Sequence, residues 1–234
     1  MTCLVTSGYS QVNYIKKGDE LFLLMKYEEA IVWYNKEPEN PVAQYKISAA
    51  YVCMADMASG DVKKQHIANA ELAARKSLKL NPDLSEGHTW LAASLGHKAL
   101  FEGSKTKVLL CNEVKSELEK ATKLNPNNHL AYSIMGTFYR ALGNVSWVER
   151  KLAEVFIGTL PSGGYKESEA AFLKAIKLSP KTVRNWYELG LLYSDWDKED
   201  LVIKIFTEGS KLQPEVESDK KRIKAMKEYL DDNE

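Results

Sequence analysis

No CxxC pair, no apolar run long enough to cross a bilayer and no surplus of either charge occur in this chain of 234 residues. Each absence excludes a class of protein. The three cysteines, Cys3, Cys53 and Cys111, are odd in number and far apart. Metal and disulfide frameworks need closely spaced or paired thiols, so reduced thiols of a cytosolic protein are the expectation. Lys plus Arg equals Asp plus Glu at 32 each. No overall basic field therefore draws the chain to nucleic acid or membrane, and a charged partner needs a local patch. Apolar stretches fall short of the ~18–20 residues that a spanning helix requires. The opening MTCLVTSGYSQVNYIKK has no basic stretch followed by an apolar segment, which argues against secretion. The sequon Asn144-Val145-Ser146 then reads as a turn and helix cap rather than a glycan site.

What is present is repetition. The tetrapeptide KLNP stands at Lys79–Pro82 and again at Lys123–Pro126; KLSP follows at Lys177–Pro180 and KLQP at Lys211–Pro214. Proline cannot continue a helix and biases the residue before it away from helical geometry, so each copy marks a joint between two helices. After Pro180, Trp186, Leu189, Gly190 and Tyr193 fit W-x2-L-G-x2-Y, with Phe206 in the second helix and Pro214 closing a unit of 34 residues. That is the tetratricopeptide (TPR) pattern, in which large side chains fill the space between paired helices and the glycine lets them approach. Tyr132, Met135, Gly136 and Tyr139 repeat it, and His88, Leu91, Ala92 and Leu95 keep it in part. Tyr14, Gly18, Leu21, Ala30 and Tyr34 fit a first unit over about residues 11–44, and QYKISAAYVCMADM begins a degenerate one.

The copies are 44, 54 and 34 residues apart, which implies insertions of about ten and twenty residues into the two middle units. The expected organisation is an all-α TPR-like solenoid over residues 11–234, after a flexible N-terminus at 1–10. Insertions fall between paired helices at about 97–115 and 143–168, and a capping helix at about 218–230. The first insertion is expected to lengthen both flanking helices. The second carries the capping box Ser146-Trp147-Val148-Glu149, which starts an extra helix expected to run to about Thr159.

A search for chemistry yields no catalytic, metal or cofactor site. His66, His88, His97 and His129 show no metal-ligand spacing, and the nucleophile elbow, P-loop and dinucleotide fingerprints are all missing. Gly163-Gly164 follows no strand and reads as a hinge. The carboxylates Glu149, Glu154, Glu167 and Glu169 read as helix N-terminal charges and solvated faces. The expectation is a binding protein and not an enzyme.

Counting TPR positions places Thr89, then Leu130, Ser133, Thr137 and Arg140, then Arg184, Tyr187 and Leu191 on the concave groove. The Lys and Asn set that clamps a chaperone's C-terminal aspartates is absent, which disfavours that use. Arg140 and Arg184 suit a carboxylate or phosphate through paired hydrogen bonds, or else pair within the chain with Glu86, Asp195 or the insertion's glutamates. Basic residues gather in three places: Lys105 and Lys107 in the first insertion, Arg150 and Lys151 on the inserted helix, and Lys220, Lys221, Arg222, Lys224 and Lys227 on the last helix. Ordinary solvated helix surface is the plain reading of each. None interleaves aromatic residues as base-stacking surfaces do, so nucleic acid is not an expected partner.

EGHTWLAASLGHKALFEGSKTK, KATKLNPNNHLAYSIMGTFYRALGNVSWVERKLA and SEAAFLKAIKLSP together resemble the regulator of microtubule dynamics proteins, from about Tyr27 to the C-terminus. GNVSWVERK is the most specific element, and the N-terminus resembles the family's anchor-free members. The resemblance implies a non-enzymatic cytoplasmic protein of the cytoskeleton, spindle and spindle poles that supports chromosome segregation. It also implies relatives with membrane anchors and a groove that holds phospholipid. Three expectations follow. Basic patches, at the nine cations above, hold the acidic tails of microtubules; the groove binds a peptide of a spindle protein or kinase; or the groove holds phospholipid.

Overall fold

The computed structural model describes residues 13–233. The expected flexible stretch at 1–10 and Cys3 lie outside them. Helices account for every regular element of the described chain: α1 (Tyr14–Leu23), α2 (Tyr27–Tyr34), α3 (Pro41–Met57), α4 (Gly60–Leu80), α5 (Ser85–Ala99), α6 (Ser104–Leu124), α7 (His129–Gly143), α8 (Trp147–Phe156), α9 (Tyr165–Leu178), α10 (Val183–Asp195), α11 (Glu199–Gly209) and α12 (Glu217–Asp231). Five hairpins form, α1/α2, α3/α4, α5/α6, α7/α9 and α10/α11, each packed on the next, with α12 against α10 and α11. This is the TPR-like solenoid that the signature implies.

Every K-L-x-P falls at a joint between helices, as proline's missing N–H requires. The signature's large residue has a second task there. Trp186 Nε1 donates to the Pro180 carbonyl at 2.8 Å, closing the turn that the proline opens. His88 stands six residues after Pro82, as Trp186 does after Pro180, and its Nε2 bonds the Pro82 carbonyl at 2.8 Å. The histidine therefore preserves the one polar contact of the tryptophan it replaces.

Buried apolar residues form three clusters along the stack. Tyr34 and Ile47 belong to the first, Leu95 and Leu118 to the second, and Phe172, Leu189, Phe206 and Met226 to the third. Met226 carries the cap's contact with the last hairpin and is fully buried.

Around the first insertion, α5 has 15 residues and α6 has 21, against 13 in α10 and 11 in α11 of the 34-residue unit, so most of the added length falls in α6. The second insertion contains α8, which begins at the capping box: the Ser146 side chain accepts from Glu149 N–H at 3.2 Å, and the Glu149 carboxylate accepts from Ser146 N–H at 2.8 Å. α8 stops at Phe156, three residues short of the expected Thr159. The chain then turns back through Gly158 and Gly163, both at positive φ, to start α9.

Candidate functional site

The nine basic residues singled out from the sequence occupy three different settings. Lys105 and Lys107 stand exposed in the first turn of α6, and no ion pair reaches either among the described residues. Lys151 is exposed and pairs with Glu154 at 2.7 Å. Arg150 is turned inward: its guanidinium donates to the carbonyls of Pro161 at 3.3 Å, Gly163 at 3.2 Å and Leu142. Those carbonyls belong to the loop before α9 and to the end of α7. Arg150 therefore ties α8 to the body of the repeat, and its charge is spent on backbone oxygens. It is a structural clip and not an outward cation.

The last helix separates in the same way. Arg222 faces the buried Asp219, at 3.3 Å, and the Ser218 hydroxyl, at 2.9 Å. Asp219 in turn accepts from the backbone N–H groups of Glu215 and Val216, so Arg222 belongs to the N-terminal cap of α12. Lys221 is exposed and does not line the cleft formed by the remaining lysines. Lys220, Lys224 and Lys227 face the turn after α11 and line an open cleft of about 760 Å³. Leu212, Pro214 and Ile223 supply its apolar floor, and Lys211 a fourth ammonium group. The acidic groups Glu228 and Asp231 stand at the same rim. The lysine pairs Lys220–Glu217 (2.7 Å), Lys211–Glu208 (2.8 Å) and Lys224–Glu228 (3.4 Å) are solvated. Such pairs hold only ~0–1 kcal/mol and exchange readily for another anion.

The concave positions are equally divided. Thr89 is 1% exposed; its hydroxyl donates to the Ser85 carbonyl at 2.8 Å and accepts from Asn128 Nδ2 at 3.0 Å. It holds α5 to the start of α7 and offers nothing to a ligand, which corrects its placement on the groove. Arg140 pairs with Glu188 at 3.0 Å and Asp195 at 3.3 Å, both on α10, so pairing within the chain takes up its guanidinium. Leu130 and Leu191 are half-buried against the neighbouring cores, and Tyr187 stacks on Phe206 with centroids 6.0 Å apart. Thr137 donates back to the Ser133 carbonyl at 3.3 Å. Ser133 is also 1% exposed, which corrects its placement on the groove as well; its Oγ, Arg184 Nε and both amide atoms of Asn185 are among the buried polar atoms without a partner among the described residues.

Cys53 on α3 and His97 on α5 both titrate away from their ordinary values. Burial dominates both: it pushes the Cys53 thiol up to about 11 and holds the His97 imidazole below its usual value. The Cys53 thiol therefore stays protonated near neutrality. Among the described residues no cluster of His, Cys, Asp or Glu could hold a metal ion, and no helix is long and apolar enough to cross a membrane.

Residues 12–234 match the family model described as regulator of microtubule dynamics protein 1-3. Human regulator of microtubule dynamics protein 2 is 26% identical over 188 residues, which cover 80% of this chain and 46% of the human protein. Its bovine counterpart is 28% identical, over 68% of this chain and 40% of that protein. Bovine regulator of microtubule dynamics protein 1 is 28% identical, over 67% and 49%. The chain thus spans less than half the length of these relatives. Among solved structures, a TPR protein of Thermus thermophilus superposes with a TM-score of 0.68 at 17% identity, covering 92% of this chain and 97% of that one.

Proposed function

Because the chain belongs to the regulator of microtubule dynamics protein 1-3 family, we propose that it is a non-catalytic, microtubule-associated scaffold that holds the acidic tails of tubulin. The observation that carries this reading is the cleft between the α11 turn and α12. A flexible glutamate-rich tail needs an elongated, open surface with several cations over an apolar floor. Lys211, Lys220, Lys224 and Lys227 over Leu212 and Ile223 supply one. Lys221, Lys105, Lys107 and Lys151 add solvated cations elsewhere on the surface. The spindle and its poles, during chromosome segregation, are the proposed place of action.

Co-sedimentation with stabilised microtubules, intact or stripped of their tails by protease, across a salt series tests this. Pelleting should need the tails and fade with salt, because each contact is a screened ion pair. The double reversal Lys224→Glu/Lys227→Glu should abolish pelleting without changing the unfolding midpoint. Pelleting of that variant equal to wild type removes the cleft from the mechanism.

A second reading is an adaptor whose concave face takes a peptide from a spindle protein or kinase. The half-buried Arg184 on α10, whose Nε has no partner among the described residues, favours it. Phospholipid on the same face is a third occupant. Mass spectrometry of an organic extract of the purified protein separates the lipid from the peptide.

A further inference from the structure

α8 is amphipathic with its apolar side outward. Successive residues of a helix advance by ~100°, so Trp147, Val148, Leu152, Val155 and Phe156 share one half of its circumference. All five are exposed, from 53% at Leu152 to 78% at Phe156. The opposite side meets the protein, through buried Ala153 and the Arg150 clip onto the carbonyls of Leu142, Pro161 and Gly163. A surface helix ordinarily turns its apolar side to the core; here a polar anchor holds it the other way. Large apolar side chains covering on the order of 600 Å² stand at the upper end of the largest apolar patch on a typical monomer, a size that is often functional.

The surroundings of this face are cationic. Lys151 projects from within it. The chain leaving α8 lies along the first turns of α6: Asn112 Nδ2 donates to the Thr159 carbonyl at 3.1 Å, and a β-carbon on Gly158 would stand 3.5 Å from Val108 Cγ1. Lys105 lies one turn before Val108 on the same side of α6, Lys107 is exposed further round the same turn, and Leu109 adds a further exposed apolar side chain. Two lysines in the first turn oppose the α6 dipole, and no ion pair reaches them, so helix stability does not account for their presence. The acids of α8 are occupied, Glu149 in the capping box and Glu154 with Lys151.

We propose that this face is a docking surface for a lipid bilayer bearing anionic headgroups, into which α8 lays its apolar side parallel to the membrane plane. An aromatic residue at each end, aliphatic residues between and lysines at the rim are the composition of an interfacial helix. A second copy of the chain fits less well. Ten residues of helix facing their own twofold mate bury well under the ~800 Å² per partner of a stable interface, whereas a bilayer sets no such minimum.

Flotation with vesicles tests this on the whole chain. Vesicles of three parts phosphatidylcholine to one part phosphatidylserine should carry the protein upward, and pure phosphatidylcholine should not. Leu152→Glu/Val155→Glu should lower the floated fraction about tenfold, with the urea midpoint unchanged because both side chains are exposed. Lys105→Glu/Lys107→Glu should weaken flotation several-fold and flatten its salt dependence. Trp147 emission should shift to shorter wavelength with the mixed vesicles, a change lost in Trp147→Phe. No flotation with mixed vesicles, or flotation that neither double variant alters, overturns the proposal. So does a wild-type dimer that Leu152→Glu/Val155→Glu turns monomeric, which assigns the face to self-association. Loss of microtubule pelleting in that variant without vesicles assigns it instead to a protein partner and is equally contrary.

Discussion

His88 Nδ1 lies 2.5 Å from Glu117 Oε2, and its other ring nitrogen, Nε2, lies 2.8 Å from the Pro82 carbonyl oxygen. A carbonyl only accepts, so Nε2 carries a proton; an ionised Glu117 requires one on Nδ1 as well. The pair is an imidazolium–carboxylate bridge between α5 and α6, with Lys120 holding the second Glu117 oxygen at 2.6 Å. Burial works against both charges. At His88 the bonds to Glu117 and Pro82 outweigh it and raise the pKa above 6.5. At Glu117 the bonds to His88 and Lys120 outweigh it and lower the pKa below 4.5.

The sign of the pH dependence follows. A raised histidine pKa contributes stability that is complete below 6.5 and is lost as pH rises through the folded value. A lowered glutamate pKa contributes stability that is complete above 4.5 and is lost as pH falls through the folded value. Both are complete between 4.5 and 6.5. His88→Ala should therefore cost about 3 kcal/mol in that window, where it strands a buried carboxylate. Urea unfolding at several pH values should show the gap to wild type closing as pH rises through the folded histidine pKa. A constant gap contradicts the charged pair.

Glycine to alanine should have opposite signs at two helical sites. A β-carbon on Gly190 would stand 2.0 Å from Phe206 Cε1, inside the ring that α11 packs onto α10. Gly190→Ala should cost about 1–3 kcal/mol through overpacking. Gly96 lies within α5 with nothing inside 4 Å of the same position, so Gly96→Ala should gain about 0.5–1 kcal/mol of helix propensity. Thermal unfolding of the two variants gives the comparison directly.

Arg150→Lys should behave like Arg150→Ala. Only a forked, planar guanidinium spans the carbonyls of Leu142, Pro161 and Gly163; a lysine ammonium reaches one of them. Both variants should expose the segment 157–164 to protease at least several-fold faster, while the midpoint of global unfolding moves little, because α8 contributes one buried residue to the fold. Microtubule pelleting should be unchanged in both, since the Arg150 charge does not face solvent. Reduced pelleting would restore Arg150 to the basic surface.

Breaking the Arg140 bridge should be felt as stability. Arg140→Met leaves Glu188 and Asp195 without their shared partner across α7 and α10. A cost of about 1–3 kcal/mol is expected from the half-buried Glu188 alone. Replacing Glu188 with glutamine in the same background should recover part of it. No recovery would mean that the bridge contributes little.

Local signals carried most of the architecture. Proline marks a helix joint wherever it falls, and the capping box Ser146–Glu149 starts α8 through contacts within four residues. The glycines of the signature stand opposite Phe172 and Phe206 because helical periodicity puts them there. All of this was written in the amino-acid order, since each contact depends on neighbours close along the chain or on one repeated spacing. Orientation was not. The same pattern describes a helix with its apolar side inward or outward, and only the carbonyls of α7 and the loop before α9, which accept from Arg150, turned α8 out. Counting put Thr89 on the groove, and Asn128, 39 residues away, drew it inside. Lys211 went unnoticed as a site residue because α12 had to fold back over its turn before the four lysines shared a cleft. Rotation about a helix axis and the convergence of distant charges depend on long-range packing, and there the tertiary structure alone decided.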